Sequence, residues 1–166
     1  MEPLNISHHK RIDDLLRRFQ PETCELAWPS LFAWRHGRRM CVVQAGDALV
    51  LVVPYGDGLS LFGPPLGGIS FAQALDAVQK ATGKHVVACE RIPENFVHEI
   101  SALTGWQAFD DRNNFDYLYR RADLADLAGR KYHKKRNLVA QCLKEYDCTY
   151  ESYSPPIVPS LRDMQS

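Results

Sequence analysis

The most constraining feature of the sequence is a pair of strand-like segments separated by a three-residue turn. The segment Ala48–Val53 is the longest unbroken apolar run of the chain, and Arg38–Gln44 precedes it. Between them stands Ala45-Gly46-Asp47, a combination typical of a tight connection between antiparallel strands. We therefore predict a β-hairpin over residues 38–54. The apolar run is far shorter than the ~20 residues that cross a bilayer as a helix, so it predicts no transmembrane segment.

Helical and strand-like segments alternate on both sides of this hairpin, with Gly or Pro at several of the boundaries. The predicted helices are His8–Phe19 capped by Ser7, Glu25–Trp34 with Trp34 on its buried side, Phe71–Thr82, Glu94–Leu103, Ala122–Leu127 and Lys131–Tyr146. The further predicted strands are Leu59–Phe62, His85–Cys89 buried on both faces, Asn114–Arg120 and Cys148–Tyr153. This order predicts a mixed α/β or α+β fold, with a mostly antiparallel sheet flanked by helices.

The overall charge and the cysteine pattern exclude some classes of partner and site. Twenty Lys and Arg balance twenty Asp and Glu, so the chain has no global field that would draw it to DNA. Its first residues lack the apolar core of a signal peptide, and we therefore expect a cytoplasmic protein. The five cysteines show no C-x-x-C spacing and the six histidines form no recognisable metal motif, so neither a disulfide framework nor a metal site is predicted.

Against this neutral background, positive charge is concentrated in Gly129–Asn137, GRKYHKKRN, which holds five of the twenty Lys and Arg residues. On a helix over Lys131–Tyr146 the apolar residues share one side, which we expect to pack on the sheet. The lysines project elsewhere and form an exposed basic face. From Arg112 to Lys144 there are nine basic residues and three acidic ones, so the charge is well above the chain average.

Two interpretations of this basic face stay open. Either it keeps the outside of a helix soluble, as most charged runs do, or it binds the phosphates of a nucleic acid or a cofactor. Phe115, Tyr117, Tyr119 and Tyr132 lie nearby in sequence and have rings of the kind that stack on bases. Alternating aromatics in a strand usually belong to a core, however, and we favour that interpretation for them.

Motifs of the familiar catalytic classes are missing from the sequence. It contains no G-x-S-x-G, no P-loop and no G-x-G-x-x-G. The stretch Gly63–Gly68 carries two prolines, which remove backbone donors that a phosphate cradle needs, so it predicts a structural turn. Asp116 and His133 are the titratable candidates close to the basic segment, and we interpret both as structural. We therefore name no catalytic residue from the sequence.

The block NNFDYLYRRADLADLAGRKYHKKRNLVAQCLKEY, most specific over Asn114–Asn137, resembles the signature of a bacterial family similar to the C-terminal domain of phosphatidylglycerol lysyltransferase. The segments PETCELAWPSLFAWR at 21–35 and GPPLGG at 63–68 agree with this resemblance. The resemblance implies two tandem domains related to GNAT acyltransferases and to Fem-type aminoacyl-tRNA-dependent transferases. On this basis we expect a first GNAT-like domain over 1–127 and the beginning of a truncated second one over 128–166.

The resemblance also implies a donor and the residues that would contact it. The implied donor is an acyl-CoA or an aminoacyl-tRNA, and Lys134 to Asn137 match the family's motif. The residues expected to contact donor anions or to position polar groups are Lys131, Lys134, Lys135, Arg136, Asn137 and Tyr119. The chain lacks the [RQ]-x-x-G-x-[GA] loop with which GNAT enzymes bind the pyrophosphate of acetyl-CoA. The CoA site therefore lies outside these residues, or the donor is not a CoA thioester.

The last residues of the sequence contain a pattern that predicts whether the chain is a fragment. Pro159-Ser160 followed by Leu161–Met164 starts a helical pattern that has no end signal, which predicts a fragment of a longer protein; the alternative is a frayed tail. The leading hypothesis is thus the N-terminal portion of a GNAT-like acyl or aminoacyl transferase with an unknown acceptor, inactive in isolation. The alternative is a non-catalytic RNA- or protein-binding module that uses the basic helix over residues 130–144.

Overall fold

The structure of the protein is a computed structural model that describes residues 1–147 and 149. The chain forms two compact units, Met1–Asp116 and Tyr117–Ser166, and each is treated by itself. The division into GNAT-like domains after residue 127 stays a prediction. The predicted strand Cys148–Tyr153 and the predicted helix start at Leu161–Met164 lie outside the described residues.

A five-stranded sheet forms the centre of the first unit. Its strands are β1 (Glu2–Pro3), β2 (Cys41–Ala45), β3 (Ala48–Tyr55), β4 (Gly58–Phe62) and β5 (Val86–Glu90). Their order in the sheet follows their order in the chain. The first three pairings are antiparallel, whereas β4 and β5 run parallel. The predicted hairpin is confirmed, because Ala45 pairs with Ala48 across a two-residue turn.

Helices and short 3-10 turns complete the described chain. The helices are α1 (His9–Phe19), α2 (Trp28–Trp34), α3 (Phe71–Thr82), α4 (Val97–Ser101), α5 (Arg121–Asp126) and α6 (His133–Glu145). The 3-10 turns are Ile6–His8, Cys24–Leu26, Glu94–Phe96, Arg112–Asn114 and Arg130–Tyr132. The mixed α/β prediction is confirmed, and the mostly antiparallel sheet with flanking helices is consistent with a GNAT-like fold. Among the described residues, none of these helices has the length and apolarity that a bilayer crossing requires.

Capping residues set the ends of α3 and the entry into α1. The side chains of Ser70 and Gln73 cap the start of α3 reciprocally, and Gly83 ends it with a left-handed φ of 68°. These bounds agree with the prediction. The predicted cap at Ser7 is wrong, because the chain enters α1 through a 3-10 turn that Asn5 caps by accepting a hydrogen bond from the Ser7 backbone.

Strand β3 separates two layers of the core. Leu49, Leu51 and Val53 pack in one cluster with residues of α1 and α2, and Val50 and Val52 pack in another with residues of α3. Both faces of β3 are therefore covered, which explains why its sequence is continuously apolar instead of alternating. Burial of each such side chain stabilises the fold by about 1.5–3 kcal/mol. Strand β3 is therefore the central element of the core of the first unit.

The loop between β4 and α3 is held against the start of β3. Leu66 and Leu49 exchange two backbone hydrogen bonds, of 2.7 and 2.9 Å. At Gly67 the backbone has a φ of 129°, and a Cβ added there would lie 2.6 Å from the Cα of Ala48. The structural turn predicted at Gly63–Gly68 is confirmed, and Gly67 is a position where the backbones are too close for a side chain.

Two predictions of burial are wrong. Strand β5 lies at the edge of the described sheet and its Val87 is 55% exposed, so β5 is not covered on both faces as predicted. Trp34 was expected on the buried side of its helix, but it is 66% exposed. Helix α2 is shorter than predicted, and Trp28 and Leu31 supply its buried side, which turns Trp34 toward solvent.

The strand predicted at Asn114–Arg120 does not form. Arg112–Asn114 is a 3-10 turn, and the residues after it have no strand pairing in the described chain. Asp116 instead accepts hydrogen bonds from the backbone N (3.1 Å) and the Sγ (2.9 Å) of Cys24. Alternating aromatic residues fit a strand, but a strand also requires a neighbour to pair with.

The apolar side of α6 is uncovered in the described part of the chain. No residue of α6 is buried, and Leu138 and Leu143 are both largely exposed. The prediction that this side packs on the sheet is therefore wrong for the described residues. Within the second unit the buried aromatic side chain is Tyr132, which precedes α6.

Candidate anion-binding site

The basic segment forms a corner between α5 and α6. Helix α5 ends at Asp126, the following residue Leu127 is left-handed, and Gly129, with a φ of 82°, leads the chain into the 3-10 turn before α6. Arg136 donates from Nη1 to the carbonyl oxygens of Leu127 and Gly129. These carbonyls follow the end of α5 and would otherwise need water as a partner. Arg136 therefore stabilises the corner between α5 and α6 through these two hydrogen bonds.

Asp123 connects α5 to the start of the basic segment. Its Oδ2 accepts hydrogen bonds from the Nζ of Lys131 (2.9 Å) and the hydroxyl of Tyr132 (3.3 Å). The Lys131 ammonium also lies 4.8 Å from the centre of the Tyr132 ring, within the range of a cation–π contact. One carboxylate thus orients both a lysine and a tyrosine at the entrance to α6.

An open cavity of ≈ 510 Å³ lies at this corner, within the second unit. Its lining residues are Leu118, Tyr119, Arg120, Asp123, Lys131, Tyr132 and Lys135. Of the residues predicted from the sequence, Tyr119, Lys131 and Lys135 meet here. Lys134 and Asn137 are exposed on α6 but do not line the cavity. The structure therefore brings together half of the predicted residues.

The cavity lining carries more positive than negative charge. Arg120, Lys131 and Lys135 contribute three cations, and Asp123 is the one acidic residue among the lining residues. The hydrogen bond from Lys131 holds the pKa of Asp123 below its usual value, and the same contact raises the pKa of Lys131. The carboxylate and the ammonium both stay charged at neutral pH. The net charge of the lining is suited to a phosphate or another small anion.

The start of α6 also has an unusual charge distribution. A helix N-terminus carries a partial positive charge and favours acidic residues, but the first turn of α6 contains none. His133, Lys134 and Lys135 occupy its first positions, directly after Arg130 and Lys131. Like charges therefore accumulate where the helix dipole disfavours them. A bound anion would relieve this unfavourable arrangement, which is a physical reason to expect one here.

We expect the substitution D123N to strengthen anion binding several-fold. It removes the acidic residue of the lining and releases the Lys131 ammonium from its ion pair, while the amide oxygen can still accept from Tyr132. Titration with inorganic pyrophosphate, followed by calorimetry, measures the effect. D126N is the matched control, because Asp126 is on the same helix and is absent from the lining. Weaker binding by D123N, or an equal gain with D126N, would contradict this description of the site.

Comparison with known proteins connects this corner to a family. The model of the family "Phosphatidylglycerol lysyltransferase, C-terminal" matches residues 16–166, which include the whole of α5, the corner and α6. The chain belongs to this family. Among curated proteins, none matches.

A solved structure supports the fold of this lysyltransferase-family chain. It is the crystal structure of a conserved protein of unknown function from Bacteroides thetaiotaomicron VPI-5482, with a TM-score of 0.71 and 23% sequence identity. The similarity covers 99% of this chain and 57% of that one. The lysyltransferase-family chain therefore spans little more than half the length of that structure, and the likeness extends to the fold alone.

Of the two titratable candidates named from the sequence, Asp116 has a structural contact with Cys24, and the interpretation of His133 stays a prediction. The hydrogen bonds from the thiol and the backbone N–H of Cys24 lower the pKa of Asp116, so its carboxylate is a weak base. His133 is exposed at the first position of α6. The described residues contain no group of three or more His, Cys, Asp or Glu side chains placed to hold a metal ion.

A second cluster of charges, in the first unit, was not predicted from the sequence. Arg91, with a left-handed φ of 60°, has its Nε 3.0 Å from Glu25 and its Nη1 3.7 Å from Asp111. Burial raises the pKa of Glu25, and the Arg91 guanidinium opposes that shift. Arg38 and Glu90 pair at 3.3 Å. The arginines in this cluster are matched with carboxylates, so the cluster holds loops together and does not present a free cation.

Arg120 is the basic lining residue that sequence reasoning missed. It precedes α5 and lies outside the segment 129–137, where the charge density is high. The signal that identifies it is the adjacent pair Arg120-Arg121 at the start of a short helix, where a basic pair again opposes the helix dipole.

Proposed function

We propose that the chain is part of an acyl or aminoacyl transferase whose donor is bound through its phosphates at the corner between α5 and α6. The observation that carries this proposal is the convergence of Arg120, Lys131 and Lys135 on one open cavity. Membership of the lysyltransferase C-terminal family supports the transfer class, because that name describes the transfer of a lysyl group to a lipid. Aminoacyl-tRNA and acyl-CoA are both phosphate-rich donors, and both are cytoplasmic.

The six residues predicted from the sequence take different parts in this proposal. Lys131 and Lys135 contact donor phosphates directly from the cavity lining. Lys134 and Asn137, exposed on the same helix, contact a longer anion that extends beyond the cavity. Tyr119 positions a polar group from the lining, and Arg136 holds the corner in shape.

The chemistry that such a transfer requires is mainly positional. The donor is an activated ester, and the acceptor attacks its carbonyl, so the protein must hold the two together and stabilise the oxyanion that forms. Among the described residues we assign none to proton transfer. In this proposal the described residues supply the binding part of the reaction.

One observation favours a second function, a non-catalytic RNA-binding module. The rings of Tyr117 and Tyr119 stack 6.5 Å apart with an interplanar angle of 21°, and Tyr117 is 86% exposed. Exposed aromatic rings beside a basic site are the means by which single-stranded RNA is bound without a base-specific code. On this alternative, phosphates bind at Lys131 and Lys135 and a base stacks on Tyr117, and no reaction follows.

The binding of tRNA to the protein distinguishes these functions. We expect tRNA to bind with an affinity that falls steeply with salt, and aminoacylated tRNA to bind better than uncharged tRNA. Filter binding with both forms, at low and moderate salt, measures this. Equal binding of the two forms favours the RNA-binding module, and D123N should strengthen both. Absence of tRNA binding would reject the aminoacyl-tRNA donor and leave acyl-CoA to be tested in the same way.

A further inference from the structure

The start of α3 has two features of a pyrophosphate-binding site, a long helix and a glycine-containing loop before it. Helix α3 has twelve residues, and the loop contributes Gly67 and Gly68. GNAT enzymes hold the pyrophosphate of acetyl-CoA at such a helix N-terminus, where backbone N–H groups point at the anion. A pyrophosphate fits here if those N–H groups are free, the glycines leave space beside them and positive charge is near.

The backbone donors at the start of α3 are already used by side chains of the protein itself. The N–H of Phe71 donates to the Oε1 of Glu99 at 2.7 Å. The N–H of Ser70 donates to the Oε1 of Gln73 (2.9 Å), and the N–H of Gln73 donates to the Oγ of Ser70 (3.2 Å). A pyrophosphate needs several such donors. In the first turn of α3, Ala72 is left as the residue whose N–H has no partner among the described residues.

The carboxylate of Glu99 is held in this position by the packing of α4. The ring of Phe96, just before α4, contacts the ring of Phe71 edge to face, with the ring centres 6.0 Å apart. Ile100, the residue after Glu99, is buried in the same core cluster as Phe71. Glu99 therefore lies where a bound anion would lie, and it supplies the negative charge that a helix N-terminus favours.

The glycines of the loop before α3 make room for other parts of the protein. A Cβ added at Gly67 would lie 2.6 Å from the Cα of Ala48, and one added at Gly68 would lie 3.3 Å from the ring of Phe19. In a phosphate-binding loop, by contrast, glycines let the backbone approach the ligand. Because the protein itself fills the space at both positions, this loop forms no cradle for a phosphate.

The charges around α3 are also unsuited to a phosphate. No Lys or Arg lies between Arg39 and Lys80, a stretch that includes β2 to β4, the glycine-containing loop and most of α3. A phosphate at the start of α3 would therefore meet the carboxylate of Glu99 with no cation from this stretch to offset the repulsion. The corner between α5 and α6 is the opposite case, since its lining has three cations and one carboxylate.

We infer that Glu99 is a specificity-determining residue, which closes the start of α3 to the pyrophosphate of CoA. A like charge at the place where a competing ligand would bind is an effective means of rejecting that ligand. The first unit by itself therefore supplies no CoA site, and an acyl-CoA donor would have to hold its pyrophosphate at other residues. The inference concerns the first unit and does not depend on the function proposed for the corner.

Titration with CoA, followed at the Phe71 amide by NMR, tests this inference. In the wild-type protein we expect the Phe71 amide cross-peak to stay in place when CoA is added to millimolar concentration, even if amides elsewhere shift. In E99A the N–H of Phe71 is released and the repelling charge is removed. The cross-peak should then shift as CoA is added, and the affinity of this site for CoA should rise about tenfold or more. E94A is the matched control, because Glu94 is an exposed glutamate in the turn before α4, and it should behave as the wild type does.

The variant E99Q keeps an acceptor for the Phe71 N–H and removes the charge alone, so it should fold as the wild type does and show a smaller gain. A shift of the Phe71 cross-peak in the wild type would overturn the inference, because it would mean that the helix start is open. An unmoved cross-peak in both E99A and E99Q, or an equal gain in E94A, would mean that Glu99 is not what closes it. Anion binding at the corner is reported separately by the amides of Lys131 and Lys135, so the two proposals fail separately.

Discussion

Replacing Gly67 by alanine is expected to lower the free energy of unfolding of the first unit by about 3–5 kcal/mol. The added Cβ would lie 2.6 Å from the Cα and 2.7 Å from the Cβ of Ala48, far inside contact distance. Two hydrogen bonds between Leu66 and Leu49 hold the backbones together, so the loop cannot retreat without breaking them. The φ of 129° at Gly67 adds a conformational cost for any residue with a Cβ.

The substitution G83A separates these two costs. Gly83 also has a positive φ, of 68°, but a Cβ there would meet no heavy atom within 4 Å. We expect G83A to cost about 1–2 kcal/mol, which is the conformational cost alone. Urea unfolding followed by tryptophan fluorescence reports on the first unit, which contains all three tryptophans. Equal losses of unfolding free energy in G67A and G83A would show that the close contact with Ala48 adds nothing to the cost of G67A.

Reversing the charge of Lys134 and Lys135 together is expected to have two opposite effects. The affinity for tRNA should fall about 100-fold or more, because two charge-assisted contacts to phosphate are lost. The slope of log affinity against log salt should become shallower by roughly 1.5, as expected for two fewer phosphate contacts. Stability should rise instead of falling. The two positions are in the first turn of α6, where acidic residues are favoured by about 0.3–1 kcal/mol each.

The double variant K10E/K84E is the control for net charge. Both lysines are exposed in the first unit, and the change in total charge is the same. For K134E/K135E, the affinity for tRNA measured by filter binding should fall while the stability measured by thermal unfolding rises. For K10E/K84E we expect no such pair of opposite changes. An unchanged affinity in K134E/K135E would mean that the basic face only keeps the helix soluble. A loss of affinity in both variants would point to nonspecific attraction.

The parts of the fold that sequence reasoning predicted correctly have local causes. The hairpin depends on a turn between two apolar runs, and α3 depends on Ser70 at one end and Gly83 at the other. In each case the signal and the structure are a few residues apart. Strand β1 was missed because it has no such local signal: Glu2–Pro3 is too short to carry a pattern and is defined by its pairing with β2.

The parts that were predicted wrongly depend on distant contacts. The alternation of Asn114–Arg120 satisfies a strand locally, but Asp116 is held by Cys24, ninety-two residues earlier in the chain. At the corner, charge density identified Lys131 and Lys135 correctly as neighbours. It could not show that Arg136 turns back to carbonyls seven and nine residues before it, or that Asp123 pairs with Lys131. The direction of a long side chain is set by the fold and cannot be predicted from the neighbouring sequence.

The sheet of the first unit has the same strand order as the chain, and this has a consequence for synthesis. Strands β2, β3 and β4 follow one another through short turns, whereas β2 can pair with β1 only after α1 and α2 have been made, and β5 with β4 only after α3. Non-local pairing is what slows folding and leaves unpaired edges exposed. The three central strands, β2 to β4, avoid that delay, so this part of the sheet can assemble strand by strand as the polypeptide grows, before the basic segment has been translated.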